Sequence, residues 1–197
     1  MPYIDLAFRL NGASVPVDHG YALYAALSRI VPEIHAATEV GVQPIRGVYN
    51  GNGKLHLSDF SRLILRLPDE QIRSYLKLAG RRLEVDEHPL SVGVPAVRTL
   101  LPTPRLRARL VTIKGFLEEE EFLEAARRQL QSLGIVAGEV ILGQRRTFRV
   151  KEKKVVGFEV AVAGLTAEES LLLQENGIGG RRRMGCGVFI PSKGRST

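Results

Sequence analysis

The stretch NGIGGRRRMGCGVFIP, residues 176–191, holds five glycines, three consecutive arginines and no acidic residue. Glycine-rich loops often hold phosphates, because their backbone N–H groups can approach an anion closely. The order of residues fits neither nucleotide motif. No GxxxxGK[ST] sequence occurs, and these glycines follow a predicted helix, whereas the dinucleotide fingerprint follows a strand and opens a helix. The role of the loop therefore depends on the chain around it.

LPTP, residues 101–104, is predicted to be a short linker. After it, the sequence predicts alternating strands and helices around the loop. In the predicted helix EEEEFLEAARRQLQSLG, the acidic first turn suits the helix dipole, and Gly134 ends the helix. Thr166 and Glu169 have the spacing of a capping box. The predicted elements, in order, are strand RARLVTI, helix EEEEFLEAARRQLQSLG, strands RRTFRVK and KVVGFEVAVAG, helix TAEESLLLQENG and strand CGVFIP.

The first half of the chain predicts the same order. Asp18 is the expected N-cap of its first helix. An N-G-N-G turn joins the second and third strands into a hairpin. The predicted elements are strand PYIDLAFRL, helix YALYAALSRI, strands GVQPIRGVYN and GKLHLSDF, helix PDEQIRSYLKLAG and strand or hairpin RRLEVDEHPLSVG. The sequence therefore predicts an α+β fold of two tandem ferredoxin-like (βαββαβ) halves, residues 1–99 and 105–197, with a C-terminal glycine-rich loop.

Composition limits the class of protein. The 197 residues are 44% hydrophobic, which is enough for a packed core, and no run is long enough to span a membrane. The N-terminal residues lack the pattern of a signal peptide. A single cysteine, Cys186, excludes a disulfide framework and is expected to be a small apolar strand residue. The sequence thus predicts a cytoplasmic protein, and no histidine or acidic cluster has metal-ligand spacing, so no metal or cofactor is expected.

The charge distribution favours a polyanionic partner. Lys and Arg number 28 against 21 acidic residues, a formal net charge of +7. Six of the ten residues at 145–154 are basic, and arginines alternate at positions 105, 107 and 109, whereas four glutamates gather at 118–121. Such clustering favours a nucleic-acid-binding face over an evenly solvated basic surface.

The predicted elements and the loop GIGGRRRMGCG resemble the RAMP superfamily of CRISPR-associated proteins, over essentially the whole chain. Within it, the sequence is similar to the sixth Cas family, the endoribonucleases that mature guide RNA from CRISPR repeats. In that family, a first helix is followed by Leu-His and a strand. Ile34 and His35 stand at that place here, after YALYAALSRIVPE and before PIRGVYN.

The resemblance implies a metal-independent reaction in which the ribose 2′-OH attacks the adjacent phosphate. The implied products carry a 2′,3′-cyclic phosphate and a 5′-hydroxyl. The reaction needs a proton acceptor, a proton donor and positive charge near the phosphorane. The implied partners are CRISPR repeat RNA, as a stem-loop or a single strand, and other subunits of a CRISPR effector complex, with no membrane.

Four histidines are candidates for proton transfer, since histidine titrates near neutral pH. His56 alternates with two leucines and is expected to face solvent, and His88 is expected in a turn. His19 begins the first helix, where the dipole disfavours a cation. His35 matches the family position, so His35 is the main candidate and His19 the alternative. Either residue could instead have a structural role.

Hydroxyl groups on the first helix are further candidates. Tyr21, Tyr24 and Ser28 share one face, and a hydroxyl from that face could orient the histidine or bond the phosphate. Tyr24 could equally belong to the core. The family's lysine after the histidine is missing here, which leaves Arg46 or an arginine of the loop to stabilise negative charge.

The predicted RNA-binding residues lie on the helix EEEEFLEAARRQLQSLG, residues 118–134, on the basic segment 145–154 and in the glycine-rich loop. For the helix, the alternative is an amphipathic surface with solvated arginines. For the loop, it is a tight connection from helix to strand with solvated arginines. The candidates are Arg127, Arg128, Arg145, Arg146, Arg149, Lys151, Gly179, Gly180, Arg181, Arg182, Arg183 and Gly185.

Two functions follow from these features. The first is an endoribonuclease that cleaves CRISPR repeat RNA and retains the repeat hairpin. The alternative is a non-catalytic RAMP subunit that holds guide RNA in a surveillance complex. Dependence on a histidine distinguishes them, because holding RNA needs charge but no proton transfer.

Overall fold

The computed structural model of the chain describes residues 2–136 and 138–192. Up to Thr99 the elements are β1 (Tyr3–Asn11), β2 (Ser14–Pro16), α1 (Gly20–Ile30), β3 (Gly41–Val42), β4 (Val48–Tyr49), β5 (Lys54–His56), β6 (Arg62–Pro68), α2 (Ile72–Leu76), β7 (Arg82–Val85) and β8 (His88–Thr99). The remaining elements are β9 (Arg105–Val111), α3 (Glu119–Ser132), β10 (Glu139–Val150), β11 (Lys153–Ala163), α4 (Ala167–Asn176) and β12 (Ile190–Pro191). Short 3₁₀ turns cover Pro32–His35, Asp69–Gln71 and Arg182–Met184.

The first half is built on a five-stranded antiparallel sheet of order β3-β6-β1-β8-β7. Alternation along β1 turns Leu6 and Phe8 into the core, where both are fully buried. Leu23 and Leu27, four residues apart on α1, belong to the same core cluster. The helix thus lies against one face of the sheet and leaves the other face to the second half and solvent.

Strand β6 was missed by the sequence prediction, although it pairs with β1 over seven residues. Leu63, Leu65 and Leu67 are buried and alternate with other side chains, the pattern of a half-buried strand. The predicted strand GVQPIRGVYN is correspondingly wrong in extent, since it is divided between the short strands β3 and β4.

The predicted hairpin around the N-G-N-G turn is confirmed, because β4 pairs with β5 in antiparallel register. It joins β2 in a separate three-stranded sheet of order β2-β5-β4. The predicted N-cap was wrong. His19 occupies that position without a side-chain cap, and the Asp18 carboxylate instead accepts a 2.9 Å hydrogen bond from the Arg149 N–H on β10.

The second half has a four-stranded antiparallel sheet of order β10-β11-β9-β12. Its helices match the prediction closely: Phe122, Ala126 and Leu130 of α3 are buried, and the capping box of Thr166 and Glu169 begins α4. The last strand is shorter than predicted, because only Ile190–Pro191 pairs with β9.

The two halves meet along a seam whose centre is Arg66, a β6 residue with only 1% of its surface exposed. Its guanidinium forms a two-bond ion pair with Asp5 at 2.8 and 2.9 Å. It also donates to the backbone carbonyls of Gln174 and Phe189 in the second half. A single side chain therefore ties the first sheet to α4 and to the segment that precedes β12.

Strand β8 reaches past its outer neighbour. Strand β7 pairs with β8 only as far as Ser91, whereas β1 pairs with it as far as Thr99. Val94 and Val97, on this extension, are 78% and 56% exposed. The extension therefore forms an outer edge of the first sheet.

Candidate active site

The end of α1 places His35 on the surface. Pro32 lacks an N–H and cannot continue the helix, so α1 ends at Ile30 and a 3₁₀ turn covers Pro32–His35. Ile34 is fully buried and anchors this turn, which leaves His35 exposed.

Tyr24 and His35 form a hydrogen-bonded pair. The Tyr24 hydroxyl lies 2.6 Å from His35 Nδ1, and the two rings meet edge to face with centroids 5.5 Å apart. Tyr24 is only partly buried, against the edge of the first core. The hydroxyl thus holds the imidazole in one orientation, and the hydrogen bond engages Nδ1 of the ring rather than Nε2.

Arg183 brings positive charge to this pair from the second half. Its guanidinium donates to the carbonyl oxygens of Ile34 and His35 and lies 5.8 Å from the centre of the Tyr24 ring. The 3₁₀ turn at Arg182–Met184, inside the glycine-rich loop, carries this side chain across the seam. Of the two predicted replacements for the family lysine, the loop arginine therefore lies at the histidine, whereas Arg46 lines a separate groove.

Ser28 lies on the same face of α1 but contacts its own helix. Its hydroxyl donates to the Ala25 carbonyl at 3.0 Å, a common arrangement for serine within a helix. The structure therefore brings Tyr24, His35 and Arg183 together and gives Ser28 a local partner.

His19 has the environment of a structural histidine. It is 2% exposed, its Nδ1–H donates to the Pro16 carbonyl at 2.7 Å, and its Nε2 accepts from the Ile45 N–H at 2.9 Å. Burial lowers the pKa of His19, the effect expected for a buried neutral imidazole. Both ring nitrogens are thus engaged by backbone groups, which argues against proton transfer to a substrate.

The other two histidines lie elsewhere. His56 is exposed, as predicted, and its Nε2 lies 2.7 Å from the Asn50 side-chain amide. His88 was expected in a turn but begins strand β8, and its Nδ1 lies 3.1 Å from the Ser14 hydroxyl.

The glycine-rich loop differs from the prediction in how its backbone is used. The Gly179 N–H donates to the Gln129 side chain at 2.7 Å, and the Gly180 N–H to the Thr112 carbonyl at 2.9 Å. The Gly185 N–H donates to the Arg182 carbonyl at 3.1 Å. The prediction that these glycines offer N–H groups to phosphate is therefore wrong, because the groups are bonded within the protein.

Close packing explains why the loop needs glycine. A Cβ at Gly179 would lie 2.6 Å from the Thr112 carbonyl oxygen, and one at Gly187 would collide with the Ile178 carbonyl oxygen. Both residues have positive φ, which disfavours other side chains. The first-half residue Gly20 likewise leaves room for the Met184 carbonyl. The glycines thus let the loop pack tightly against β9 and α1.

The loop arginines point in different directions. Arg181 is exposed, and its Nη1 reaches the Thr112 hydroxyl at 3.4 Å. Arg182 turns into the seam, where its Nε and Nη2 are buried without a hydrogen-bond partner and burial lowers the pKa of its guanidinium to about 10. The prediction that Arg182 contacts RNA is therefore not favoured, because its side chain is enclosed between the halves.

Cys186 is 1% exposed and lies between loop glycines outside the last strand. Burial raises the pKa of its thiol to about 12, so the thiolate form is disfavoured. This fits the predicted small apolar residue, although not its predicted place in a strand.

Most of the other predicted RNA-binding side chains are exposed. Arg127 and Arg128 lie on the outer side of α3, and Arg128 has Glu124 at 3.8 Å and the Phe116 ring at 5.6 Å. The hairpin of β10 and β11 presents Arg145, Arg149 and Lys151. Arg146 instead turns to Glu159 at 3.3 Å and has a buried Nε without a partner.

A basic groove along the seam was not predicted as a site. Two adjoining depressions share Arg46, and the exposed aromatic rings Tyr49 and Phe60 line one each. Phe60 is 89% exposed and Tyr49 60% exposed, an arrangement that suits base stacking. The other arginines that line these depressions are Arg62, Arg66, Arg98, Arg109 and Arg146. Three of these arginines had a signal in the sequence: Arg46 and Arg146 were candidate residues, and Arg109 alternates with Arg105 and Arg107.

The described part of the chain lacks two further features. Within residues 2–136 and 138–192, no group of three or more His, Cys, Asp or Glu side chains could hold a metal ion. Over the same residues, no helix combines the length and apolar character needed to cross a membrane.

The fold and the site define an α+β protein in which two antiparallel sheets meet at a basic seam beside a tyrosine–histidine pair. A family model described as "Cas6 Crispr" matches residues 4–194. The "CRISPR-associated endonuclease Cas6" of Myxococcus xanthus (strain DK1622) is 44% identical over 191 residues, which are 97% of this chain and 82% of that protein.

Solved structures share the fold at low identity. One titled "CRISPR associated protein Cas6" has a TM-score of 0.67 at 13% identity and covers 98% of this chain and 99% of its own. A Thermus thermophilus Cse3, bound to an RNA representing a pre-cleavage complex, has a TM-score of 0.57 at 18% identity, with 96% and 98% covered. The chain belongs to the Cas6 family.

Proposed function

We propose that this protein is an endoribonuclease that cleaves CRISPR repeat RNA and retains the repeat hairpin. The observation that carries the proposal is the hydrogen-bonded pair of Tyr24 and His35 with Arg183 beside it. The name of the 44% identical relative, an endonuclease, supports the same activity.

In the proposed reaction the 2′-oxygen attacks the adjacent phosphorus and the bond to the 5′-oxygen breaks. His35 accepts the 2′-OH proton through Nε2, and the resulting imidazolium returns a proton to the 5′-oxygen. The products are a 2′,3′-cyclic phosphate and a 5′-hydroxyl, and no proton is gained or lost. Tyr24 holds the imidazole in orientation throughout.

Arg183 is proposed to stabilise the negative charge of the phosphorane. Its fixed contacts to the carbonyls of the 3₁₀ turn hold the guanidinium in place before RNA binds, which suits electrostatic stabilisation. Proton transfer and charge stabilisation are then supplied by side chains alone, so the reaction is proposed to be metal-independent.

RNA is proposed to bind on both sides of the seam. The exposed arginines of α3 and of the β10–β11 hairpin suit phosphate contacts, and the groove beside Tyr49 and Phe60 suits unstacked bases. Other subunits of a CRISPR effector complex are proposed as further partners.

We further propose that the halves, residues 1–99 and 105–197, are tandem ferredoxin-like units. The strand orders β3-β6-β1-β8 and β10-β11-β9-β12 support this, because both run 2-3-1-4 when these four strands of each half are numbered along the chain. Strand β7 lies outside this common set. Two separate hydrophobic clusters support the same division.

The test is incubation of the protein with labelled repeat RNA from the same genome in EDTA. Full cleavage in EDTA with a cyclic phosphate end is expected. Strict dependence on added magnesium would contradict the proposed chemistry, and binding without any cleavage would favour the non-catalytic guide-RNA holder.

A further inference from the structure

A cavity of about 210 Å³ lies in the seam between α1, β3, β9, β10 and the glycine-rich loop. Its inner wall is formed by the buried residues Leu23, Val42 and Phe148. Asp18 and Thr147 are exposed and form the part of the wall that meets solvent. We call this space the seam cavity.

The seam cavity adjoins the candidate active site. Met184 and Gly185 line it, and Arg183, the preceding residue, contacts the turn that carries His35. A nucleotide near the scissile phosphate is therefore within reach of both sites.

One charged side chain on the wall of the seam cavity lacks a full set of protein partners. Arg146 Nε is buried and has no hydrogen-bond acceptor. Arg109, also on the wall, is half-buried, and burial lowers the pKa of its guanidinium. A buried donor without an acceptor is costly, so this arrangement favours a ligand that supplies one.

We propose that the seam cavity binds an unstacked guanine base. Apolar walls suit a planar ring, while the rim offers the Asp18 carboxylate and the two guanidinium groups. Guanine presents adjacent donors, N1–H and the N2 amine, to a carboxylate, and adjacent acceptors, O6 and N7, to an arginine. The other bases present no such pair of complementary edges.

This inference deepens the proposed function, since the repeat RNA would supply the base. In that role Asp18, Arg109 and Arg146 read one guanosine near the cleavage site. The exposed arginines of α3, together with Arg145, Arg149 and Lys151 of the β10–β11 hairpin, in contrast contact phosphates whatever the sequence.

The first experiment uses free nucleotides and does not depend on cleavage. Guanosine and inosine 5′-monophosphate, which differ only in the N2 amine, are titrated calorimetrically into the wild type and into Asp18→Asn. We expect the wild type to prefer guanosine monophosphate about fivefold, the value of one hydrogen bond. The preference should vanish in Asp18→Asn, whose side-chain oxygen still accepts the Arg149 N–H.

Two further variants control for folding and position. Asp86→Asn makes the same change in the turn between β7 and β8, at an aspartate that does not line the seam cavity, and should keep the wild-type preference. Thr147→Trp, at an exposed strand position, should block the seam cavity and abolish binding of guanosine monophosphate with an unchanged unfolding midpoint. Equal affinity of the wild type for both nucleotides, or a preference that persists in Asp18→Asn, overturns the proposal.

The second experiment places the base in RNA. Each unpaired guanosine of the repeat is replaced in turn by inosine, and binding is measured with His35→Ala to keep the RNA intact. At one position the replacement should weaken binding about fivefold with native Asp18 and should have no effect in the double variant with Asp18→Asn. Unchanged binding at every position overturns the proposal. Absence of cleavage by the wild type, in contrast, contradicts only the proposed reaction, because neither measurement here requires cleavage.

Discussion

His19 and His35 lie 16 residues apart along the chain but differ in burial and in hydrogen bonding. His19 is enclosed and bonded through both nitrogens, whereas His35 is exposed and bonded through one. The first prediction follows from this difference. His35→Ala should lower the cleavage rate about 10²–10⁴-fold, the usual contribution of a positioned acid or base.

Repeat RNA should stay bound to His35→Ala, because the exposed arginines that suit phosphate contacts lie on other elements. Single-turnover cleavage and equilibrium binding measure the two quantities separately. His56→Ala, at an exposed histidine, is the matched control and should cleave at the wild-type rate. A wild-type rate in His35→Ala would refute the assigned role.

The second prediction concerns pH and His19. Its pKa is lowered in the folded protein, so below about pH 6.5 the unfolded chain binds a proton that the folded chain does not. The contribution of neutral His19 to the free energy of unfolding is therefore fully present above pH 6.5. It is lost as the pH falls toward the pKa of His19 in the folded protein. Urea unfolding at pH 7.5 and 5.5 measures how far the free energy of unfolding falls between the two pH values. This fall should be smaller in His19→Gln than in the wild type. Equal losses would show that His19 does not carry this dependence.

At the residue scale, the sequence could rank His35 first only through the family position. The partners that decide the matter, Ile45 for His19 and Arg183 for His35, lie 26 and 148 residues away along the chain. No pattern in the neighbouring sequence predicts contacts between residues so far apart. The involvement of Tyr24 could be predicted, because the spacing of the hydroxyl residues indicates the helix face on which it lies.

Among the elements, the glycine-rich loop is a packed connection that delivers Arg183. The third prediction is that Gly187→Ala lowers the free energy of unfolding by about 1–3 kcal/mol, the range of backbone strain, because its Cβ would strike the Ile178 carbonyl oxygen. Gly180→Ala is the control in the same loop, since nothing lies within 4 Å of the added carbon. Chemical denaturation measures both, and equal effects would contradict the packing argument.

The β10–β11 hairpin carries the fourth prediction. Changing Arg145, Arg149 and Lys151 together to alanine should make the salt dependence of RNA binding shallower, by about 0.7 in the log–log slope for each phosphate that the variant no longer neutralises. The measurement is affinity for repeat RNA across a salt series.

The matched control removes the same charge elsewhere on the surface, with alanine at the exposed residues Arg73, Arg81 and Arg82. This control should keep the wild-type slope. If both triple variants gave the same slope, net charge rather than the hairpin would account for binding.

Elements with strong local signals were predicted well and weakly patterned ones were not. The capping box at Thr166 and the apolar stripe of α3 are local features, and both are confirmed. Strand β6 was overlooked although its leucines alternate. The loop's N–H groups were misjudged because their acceptors, such as Thr112 on the segment after β9, come from a distant part of the sequence.

In the whole molecule, the seam is where the first sheet contacts the second half of the chain, through Arg66. The fifth prediction is that Arg66→Ala lowers the free energy of unfolding by about 3–5 kcal/mol, the cost of leaving a buried ion pair without one partner. Asp5 would lose its cation, and two backbone carbonyls of the second half would lose their donor.

Arg62→Ala is the control for this prediction, because Arg62 lies on the same strand and bonds only to carbonyls of its own neighbouring segment. Thermal or urea unfolding compares the two variants. A small effect at Arg66 would show that the halves are held together by other contacts.

At this scale two tandem βαββαβ halves stay a prediction from the sequence, which rests on a separate hydrophobic pattern in each half. The seam was not visible, since it depends on single side chains such as Arg66 and Arg183 that meet groups more than 100 residues away. The sequence predicted an RNA contact for Arg183 and no role for Arg66, whereas the structure gives both side chains protein partners across the seam.

The extension of β8 beyond β7 bears on how the protein behaves at high concentration. An open strand edge with exposed valines is a template on which another chain can add a strand, and growth of that kind leads to aggregates. Pro95 lies between Val94 and Val97, and proline is accommodated in a strand where its nitrogen faces the open edge, so it interrupts the row of donors. The neighbouring Arg98 adds charge. Solubility thus depends in part on a proline remote from the chemistry.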